Sequence, residues 1–249
     1  MRQLSAIGLT VLLAACGGGD SAAPSAPPPT VAVEGFWKRT AASGEPVALV
    51  ILGTGETWGV HTTVDGSIIG ALYGKTTASG ATLSGSGKYI HIPVPSVTPG
   101  TYSGTFVAKS SIDVKTFTAS TSSPFWGTYT RKADNQSASA SLETVAGTFV
   151  GVGASGSSLL PTPSLTISGS GAITGPPFLG CSVSGTAAPH PGGNNIFNVT
   201  MKFDGVPFCA LGKGDFPTGI AFYDTTTGQV VVMALKADQS DSFIFVGKK

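Results

Sequence analysis

Short apolar and β-branched runs recur along the chain, separated by Gly, Pro, Ser and Asp. Runs of this length with turn residues between them predict β-strands. The first half has such runs at 34–40, 47–52, 56–62, 67–73, 88–92, 102–108, 112–119 and 125–131. The second half has them at 144–152, 164–167, 180–186, 195–203, 218–224, 229–236 and 241–249. Only the first residues of the chain suggest a helix, so we expect an all-β protein.

The two halves resemble each other at both ends. The first opens with "VEGFW" and closes with "WGTYTRK", and the second opens with "VAGTF" and closes with "FVGKK". A polar segment, 133–143, separates them, so we predict two β domains, 34–132 and 144–249, that fold separately. Sequential strands joined by short turns favour antiparallel up-and-down sheets, and closure removes exposed strand edges. Two small β-barrels are therefore the first expectation, and two β-sandwiches are the second.

The N-terminal region has the pattern of an export signal followed by a tether. Arg2 precedes an apolar run that is well short of the roughly 20 residues of a membrane-spanning helix. Residues 1–15 are therefore predicted to be a signal peptide. Residues 16–33 are rich in Gly and Pro, which predicts an unstructured tether that is flexible at its start and stiffer at Pro27–Pro29.

The sequence "LAAC" at 13–16 resembles the lipobox of bacterial lipoproteins. This resemblance implies that Cys16 carries diacylglycerol, that cleavage occurs just before it, and that the new amino terminus is acylated, with palmitate as the expected chain. Gly17 stands where an aspartate would mark retention in the inner membrane of Gram-negative bacteria. The resemblance thus implies lipid anchoring in the outer membrane, on the periplasmic side or at the surface. The alternative is an ordinary signal peptide with a chance cysteine.

Charge is scarce in this chain, which limits the classes of partner. Asp, Glu, Lys and Arg make up 11% of residues, against about a quarter in a typical soluble domain. Loss of Arg2 with the signal leaves equal numbers of basic and acidic side chains. The basic footprint of a nucleic-acid-binding protein is absent, so no nucleic-acid partner is expected.

Two cysteines remain once Cys16 is assigned to lipid. In an oxidising compartment Cys181 and Cys209 most simply pair with each other. A metal site would need further ligands at suitable spacing, and neither cysteine has a flanking base or a C-x-x-C partner that would make it reactive. We predict a structural disulfide in the second domain.

Motifs that carry catalysis or bind cofactors are weak. The segment "GVGASG" at 151–156 matches a dinucleotide fingerprint, but Pro161 and Pro163 prevent the long helix that must follow. We interpret it as a glycine-rich hairpin loop. No serine lies in a nucleophile elbow. The sequence therefore predicts neither a catalytic site nor a cofactor.

The histidines have no neighbouring ligand residues in the sequence. His61 lies in a predicted strand, His91 in an alternating strand before prolines, and His190 in the loop "APHPGG". Each is expected to be a surface or wall residue, and no metal is predicted. Whether folding assembles a composite site from these three histidines is left open.

A family resemblance covers most of the chain. The region 180–249, with "GCSVSGT", a second cysteine, "TGIAFYD" and a closing aromatic-rich strand, resembles uncharacterised exported lipoproteins of β- and γ-proteobacteria. The lipobox, the "GFW" opening and the "WGTY" close extend the resemblance. It implies a two-part lipoprotein with the two cysteines bridged, and it implies no activity. The architecture is also loosely similar to barrel-type surface lipoproteins that capture host proteins.

We expect a non-catalytic envelope or surface binding module, held at the membrane by lipid on Cys16, with a protein as its possible partner. The first alternative is a lipocalin-like carrier of a small apolar ligand, which needs a lined barrel cavity of a few hundred cubic ångströms. A hydrolase is a more distant alternative, and it needs titratable groups that converge at one end of a barrel.

Overall fold

The computed structural model describes most of the two predicted domains. The described residues are 32–40, 45–92, 96–117, 127–131, 139–155, 158–160, 164–178, 181–192, 194–204, 209 and 214–249. The predicted signal peptide, Cys16, the tether up to residue 31 and residues 133–138 of the predicted linker lie outside them. Among the described residues, no helix has the length and apolar character needed to cross a bilayer.

The first domain is a closed antiparallel barrel in which each strand pairs with its sequence neighbours and the first strand pairs with the last. Its strands are β1 Gly35–Thr40, β2 Pro46–Ile51, β3 Glu56–Thr62, β4 Ile68–Ser79, β5 Thr82–His91, β6 Ser96–Val107, β7 Ser111–Phe117 and β8 Gly127–Arg131. Closure leaves this sheet with no free edge. The predicted up-and-down barrel is confirmed.

The second domain is also a closed antiparallel barrel, preceded by a single helical turn, α1 Leu142–Val145. Its strands are β9 Gly147–Ser155, β10 Ser158–Leu160, β11 Ser164–Ile167, β12 Ala172–Phe178, β13 Cys181–Pro189, β14 Ile196–Asp204, β15 Gly214–Asp224, β16 Gln229–Leu235 and β17 Ser242–Lys248. Strand β9 pairs with β17 along one edge, and with β11 and then the short β10 along the other. The barrel proper therefore consists of β9 and β11–β17.

Several boundaries correct the sequence expectations. The expectation of no helix was wrong, because α1 forms across the boundary between the predicted linker, which ends at 143, and the predicted second domain. Residues 151–155 do not form the expected hairpin loop, because they belong to β9 and pair with β17. Strands β4, β5 and β6 are 12, 10 and 12 residues long, well beyond the predicted runs. Their extensions are rich in Gly, Ser and Thr, which sequence reasoning assigned to turns.

The residues at which the chain enters the first barrel are buried. Val33 is fully buried, and Gly35 follows it with φ of 143°, a conformation that favours glycine. Trp37 then points into the barrel, where its Nε1 donates a hydrogen bond to the carbonyl oxygen of Val33 at 3.0 Å. From the last strand, the guanidinium of Arg131 lies 5.8 Å from the Trp37 ring centroid, a cation–π contact.

The second barrel repeats this arrangement. Val145 is fully buried, Gly147 has φ of 148°, and Phe149 points into the barrel. The Lys249 ammonium lies 5.5 Å from the Phe149 ring centroid and donates a hydrogen bond to the carbonyl oxygen of Thr144 at 2.9 Å. The shared openings and closings seen in the sequence therefore form equivalent barrel ends.

The disulfide joins Cys181 to Cys209, as predicted. Cys181 begins β13 and is fully buried, and β14 runs antiparallel beside β13 until Asp204 lies opposite Ser182. Cys209 follows shortly after, so the chain returns to Cys181 with the two α-carbons 4.5 Å apart. The bond ties the start of β13 to the connection between β14 and β15.

Each barrel has its own interior, and a third apolar cluster lies between the barrels. Outward-facing residues from both domains form this third cluster, which we call the barrel interface. Its buried members are Phe36, Val50, Leu52, Trp58, Val60, Ile68, Ala71, Ile90 and Ile92 of the first barrel, and Ala154, Ile196, Ile220, Phe222, Val231, Met233, Leu235 and Ile244 of the second. Full burial of a large apolar side chain contributes about 1.5–3 kcal/mol. The two barrels therefore form one packed body.

Strands at the barrel interface are apolar on both faces. In β16, Val230, Val232 and Ala234 face the interior of the second barrel. The alternate residues Val231 and Met233 face the first barrel. The run "QVVVMAL" has no polar alternation because both of its faces are covered.

Candidate functional site

The interior of the first barrel is filled by side chains. The cavity among Leu49, Ile51, Leu72 and their neighbours has a volume of only about 20 Å³, which is roughly the space of one water molecule. Thr57, Thr76 and Tyr102 form a chain of buried hydroxyls there, with oxygen–oxygen distances of 2.6 Å at both steps. A carrier of the expected kind needs a few hundred cubic ångströms, so this cavity does not favour that alternative.

Four titratable side chains lie together at one end of the first barrel, which we call the barrel mouth: Glu45, His61, Tyr89 and His91. His61 is buried, and its Nε2 lies 3.2 Å from Oε2 of Glu45. The rings of Tyr89 and His91 meet edge to face with centroids 4.1 Å apart. Gly70 of β4 lies opposite both His61 and His91 in the strand register. Folding thus places two of the three histidines in one row.

Burial controls protonation at the barrel mouth. Loss of solvent lowers the pKa of His61, although the neighbouring Glu45 carboxylate opposes this shift. Burial likewise lowers the pKa of His91. Desolvation and the Glu45 charge both raise the pKa of Tyr89. These side chains are therefore held in their neutral forms around neutral pH, and Nδ1 of His61 has no hydrogen-bond partner in the described structure.

His190 lies in the second barrel, away from this row. It follows β13, and its Nδ1 lies 2.8 Å from Oδ1 of Asn198. No group of three or more His, Cys, Asp or Glu residues in the described ranges has an arrangement that could hold a metal ion.

A wide groove lies on the outside of the first barrel, where it meets a turn of the second. We call it the outer groove, and its volume is about 850 Å³. The outer faces of β4, β5 and β6 form one side, Thr54 and Glu56 form one end, and Gln239 reaches it from the turn between β16 and β17. Its lining residues are Thr54, Glu56, Tyr73, Gly74, Lys75, Ser86, Gly87, Lys88, Pro99, Gly100, Thr101 and Gln239.

A row of glycines shapes the outer groove. Gly74, Gly87 and Gly100 lie opposite one another on β4, β5 and β6. A Cβ added to Gly87 would lie 2.6 Å from the carbonyl oxygen of Tyr73, so neighbouring strands approach too closely there for any side chain. Aligned glycines of this kind let a sheet curve strongly. The groove wall therefore depends on the segments that sequence reasoning assigned to turns.

The aromatic part of the outer groove is held by hydrogen bonds. The ring of Tyr73 packs against Trp58 with centroids 4.6 Å apart. Glu56 accepts a hydrogen bond from Nε1 of Trp58 at 3.0 Å and also bonds the Tyr73 hydroxyl. Partial burial, followed by the Glu56 charge and this hydrogen bond, raises the pKa of Tyr73. Tyr73 is thus a neutral ring that lines the groove in a fixed position.

Two lysines give the outer groove its positive charge. Lys75 projects from β4, and Lys88 projects from the neighbouring β5, where it lies opposite Tyr73. Neither lysine has a salt-bridge partner in the described part of the chain. Both ammonium groups are therefore available to a ligand.

A second groove, of about 650 Å³, lies between the barrels. Phe36, Phe222 and Val231 contribute to its apolar lining. Lys38 on its wall already pairs with Asp224 at 3.1 Å. The charge of this lysine is therefore already matched by a carboxylate.

Comparison with known proteins adds no family. No family model, no curated protein and no solved structure matches this chain.

Sequence reasoning found the disulfide but not the groove residues. Cys181 and Cys209 pair as predicted, whereas Cys16 lies outside the described residues. Neither Glu45 nor Glu56 could be assigned to a site from the sequence, because the contacts of Glu45 with His61 and of Glu56 with Tyr73 form only when the chain folds. An outward-facing Tyr-x-Lys on β4, followed by Lys88 on the next strand, is the one pattern that could have pointed to the groove.

Proposed function

We propose that the chain is a non-catalytic binding module, anchored by lipid at Cys16 to the outer membrane, and that the outer groove contacts its ligand. The main support for this proposal is the difference in volume between the outer groove and the cavity inside the first barrel. The described cavity inside the first barrel holds about 20 Å³, whereas the outer groove holds about 850 Å³. Ligand sites of 300–1,000 Å³ are typical of proteins. The barrels act as a rigid support, and recognition takes place on their outside.

The barrel mouth supports catalysis less well. The pair His61–Glu45 has the chemistry of a general base with its orienting carboxylate. A covalent mechanism also needs a nucleophile within hydrogen-bond reach of the base. Nδ1 of His61 has no hydrogen-bond partner among the described residues, and Nε2 faces the carboxylate. A hydrolase therefore remains the more distant alternative.

Photo-crosslinking in living cells tests the proposed function. A photoreactive phenylalanine analogue would replace Ser86, an exposed groove residue, in the full lipidated chain. The matched control places it at Thr200, an exposed residue of the second barrel outside this groove. We expect light-dependent adducts, seen as slower electrophoretic species, only from position 86. Adducts of equal yield from both positions, or from neither, would refute the outer groove as the binding surface.

A further inference from the structure

We infer that the outer groove binds an acidic saccharide, a sugar chain that carries carboxylate or phosphate groups. This inference rests on the proposed function and names the ligand class of the same site. It follows from three features of the groove: free positive charge, a fixed aromatic ring and a set of small polar side chains.

The two lysines are placed to bind more than one anionic group. Lys88 lies opposite Tyr73, so it is the diagonal neighbour of Lys75 across β4 and β5. Diagonal neighbours in a sheet are about 7–8 Å apart. Flexible lysine stems let both ammonium groups close on one anion or hold two anions of successive sugar units. Since neither lysine has a salt-bridge partner among the described residues, binding would break no existing ion pair.

Glu56 forms no salt bridge with Lys75 or Lys88 in the described structure, so it does not neutralise either lysine. It lies opposite Lys75 in the register of β3 and β4. Its carboxylate nevertheless accepts hydrogen bonds from Trp58 and Tyr73. The carboxylate is thus held against the aromatic pair, and its role is to fix the Tyr73 ring.

The Tyr73 ring supplies an apolar surface for a sugar. The ring makes a tilted contact with Trp58, is only partly buried and lines the groove. Aromatic side chains offer a large apolar face with a polar tip, and a pyranose ring presents C–H groups on one face and hydroxyls around its rim. A ring whose position is already fixed costs little conformational entropy on binding.

Small polar groups complete the site. Thr54, Ser86 and Thr101 contribute hydroxyls, and Gln239 contributes an amide from the second barrel. Hydroxyls and amides can both donate and accept hydrogen bonds, which matches the mixed donor and acceptor character of sugar hydroxyls. Because Gln239 belongs to a different barrel from the lysines, the site requires both barrels in their packed arrangement.

Strand pairing limits where an extended peptide could bind in the groove. Peptides often bind by adding a strand to a free sheet edge. The groove residues of β4 and β5 pair with a strand on both sides, whereas residues 96–101 of β6 pair only with β5 among the described residues. An added peptide strand could therefore pair only along the far side of β6, away from Lys75 on β4. Nucleic acid is disfavoured by the equal numbers of basic and acidic side chains in the processed chain.

Calorimetric titration of the lipidated full chain in detergent micelles tests this inference. The probes are an oligogalacturonate tetramer, glucose 1,6-bisphosphate and the neutral maltotetraose. We expect at least one of the two acidic probes to bind at least tenfold more tightly than maltotetraose, with an affinity that falls as salt is added. Whichever acidic probe binds more tightly identifies carboxylate or phosphate as the anionic group. Equal binding of the acidic and neutral probes, or no binding of either acidic probe, would overturn the inference.

A charge-matched pair of variants locates the binding. The double variant Lys75→Gln/Lys88→Gln should lose at least tenfold in affinity for the better acidic probe. The control Lys109→Gln/Lys202→Gln removes two exposed lysines that do not line the groove, and should bind as the parent does. Equal losses in both variants would overturn the inference, because they would indicate nonspecific attraction. If the photoreactive residue at position 86 still forms crosslinks in cells while no acidic probe binds, the ligand class is wrong and the proposed function stands.

Discussion

The ring of Phe36 in the first barrel stacks on the ring of Phe222 in the second, with centroids 3.8 Å apart and an angle of 24° between their planes. Two residues further along each strand, Nζ of Lys38 lies 3.1 Å from Oδ2 of Asp224. Burial alone would raise the pKa of Asp224, but the hydrogen bond and charge of Lys38, together with backbone hydrogen bonds, lower it. The ring stack and the ion pair together fix how the barrels meet.

Loss of the stacked ring should destabilise both barrels together. Phe222→Ala should lower the free energy of unfolding by about 3–5 kcal/mol, the usual cost of removing a buried phenylalanine. The control is Val64→Ala, because Val64 is 74% exposed and such a change is expected to alter stability by less than about 0.5 kcal/mol. Differential scanning calorimetry should show one transition that shifts as a unit. Two transitions, with only one of them shifted, would mean that the barrels unfold independently.

Cleavage of the linker should not separate the barrels. A protease site inserted within residues 133–138 would be cut in the purified protein, and size-exclusion chromatography would follow the fragments. The buried apolar interface should keep them together, because relative domain motion is expected only where an interface is small or polar. Fragments that elute separately under native conditions would support the expectation, made from the sequence, of two separately folding domains.

Stability should fall as the pH drops from 7 towards 5. Burial holds the pKa of His61 below the ordinary histidine value of about 6.5, so the unfolded state takes up protons in this range before the folded state does. Proton uptake by the unfolded state favours unfolding. The loss should therefore begin below about pH 6.5 and be complete below the folded-state pKa.

The variant His61→Gln isolates this effect. Its melting temperature should depend less on pH between 7 and 5 than that of the parent. His91→Gln should have a smaller effect, because His91 is less buried, although burial lowers its pKa in the same direction. An unchanged slope in His61→Gln would show that other groups control stability in this range.

The disulfide should stabilise the protein without taking part in binding. Its 28-residue separation corresponds to roughly 3–4 kcal/mol in the chain-entropy model. Cys181→Ala/Cys209→Ala should therefore lower the melting temperature markedly and leave the affinity for the acidic saccharide probe unchanged at temperatures well below melting. Titration of free thiols in the denatured, unreduced parent checks the bond directly. Two reactive thiols per chain would mean that it is absent in solution.

Membrane association should depend on Cys16. Cys16→Ser removes the atom to which the lipid would attach, and lipid chains are the expected source of stable anchoring. In detergent-phase partitioning, the parent should enter the detergent phase and the variant should remain in the aqueous phase. Equal partitioning of the two proteins would refute the lipoprotein prediction.

Much of the barrel fold could be predicted because turn residues mark the strand ends. The prediction was weakest in β4, β5 and β6, where residues 74–79, 82–87 and 96–101 are rich in Gly, Ser, Thr and Pro. Such residues favour turns locally, and here pairing with a neighbouring strand, on both sides for 82–87, overrides that preference. The same segments line the outer groove, so the error concealed the candidate site.

The barrel interface had a sequence signal that strand assignment alone does not use. A strand with one solvent-facing side alternates between apolar and polar residues. "VALVIL" in the first half and "QVVVMAL" in the second lack that alternation. Both strands contribute one face to the interior of their own barrel and the other to the interface. Which strands of one barrel meet which strands of the other still depends on shape, and the sequence pattern does not carry this information.

The pairing of β1 with β8 has a mechanical consequence. Because Trp37 lies opposite Arg131, the chain leaves the first barrel beside the point at which it entered. A pulling force between residue 33 and a ligand held on β4–β6 would therefore pass through the first barrel alone. The second barrel would not be part of the covalent connection between the two points of force. It would instead support the outer face of β4 through the barrel interface, while the first barrel bears the force.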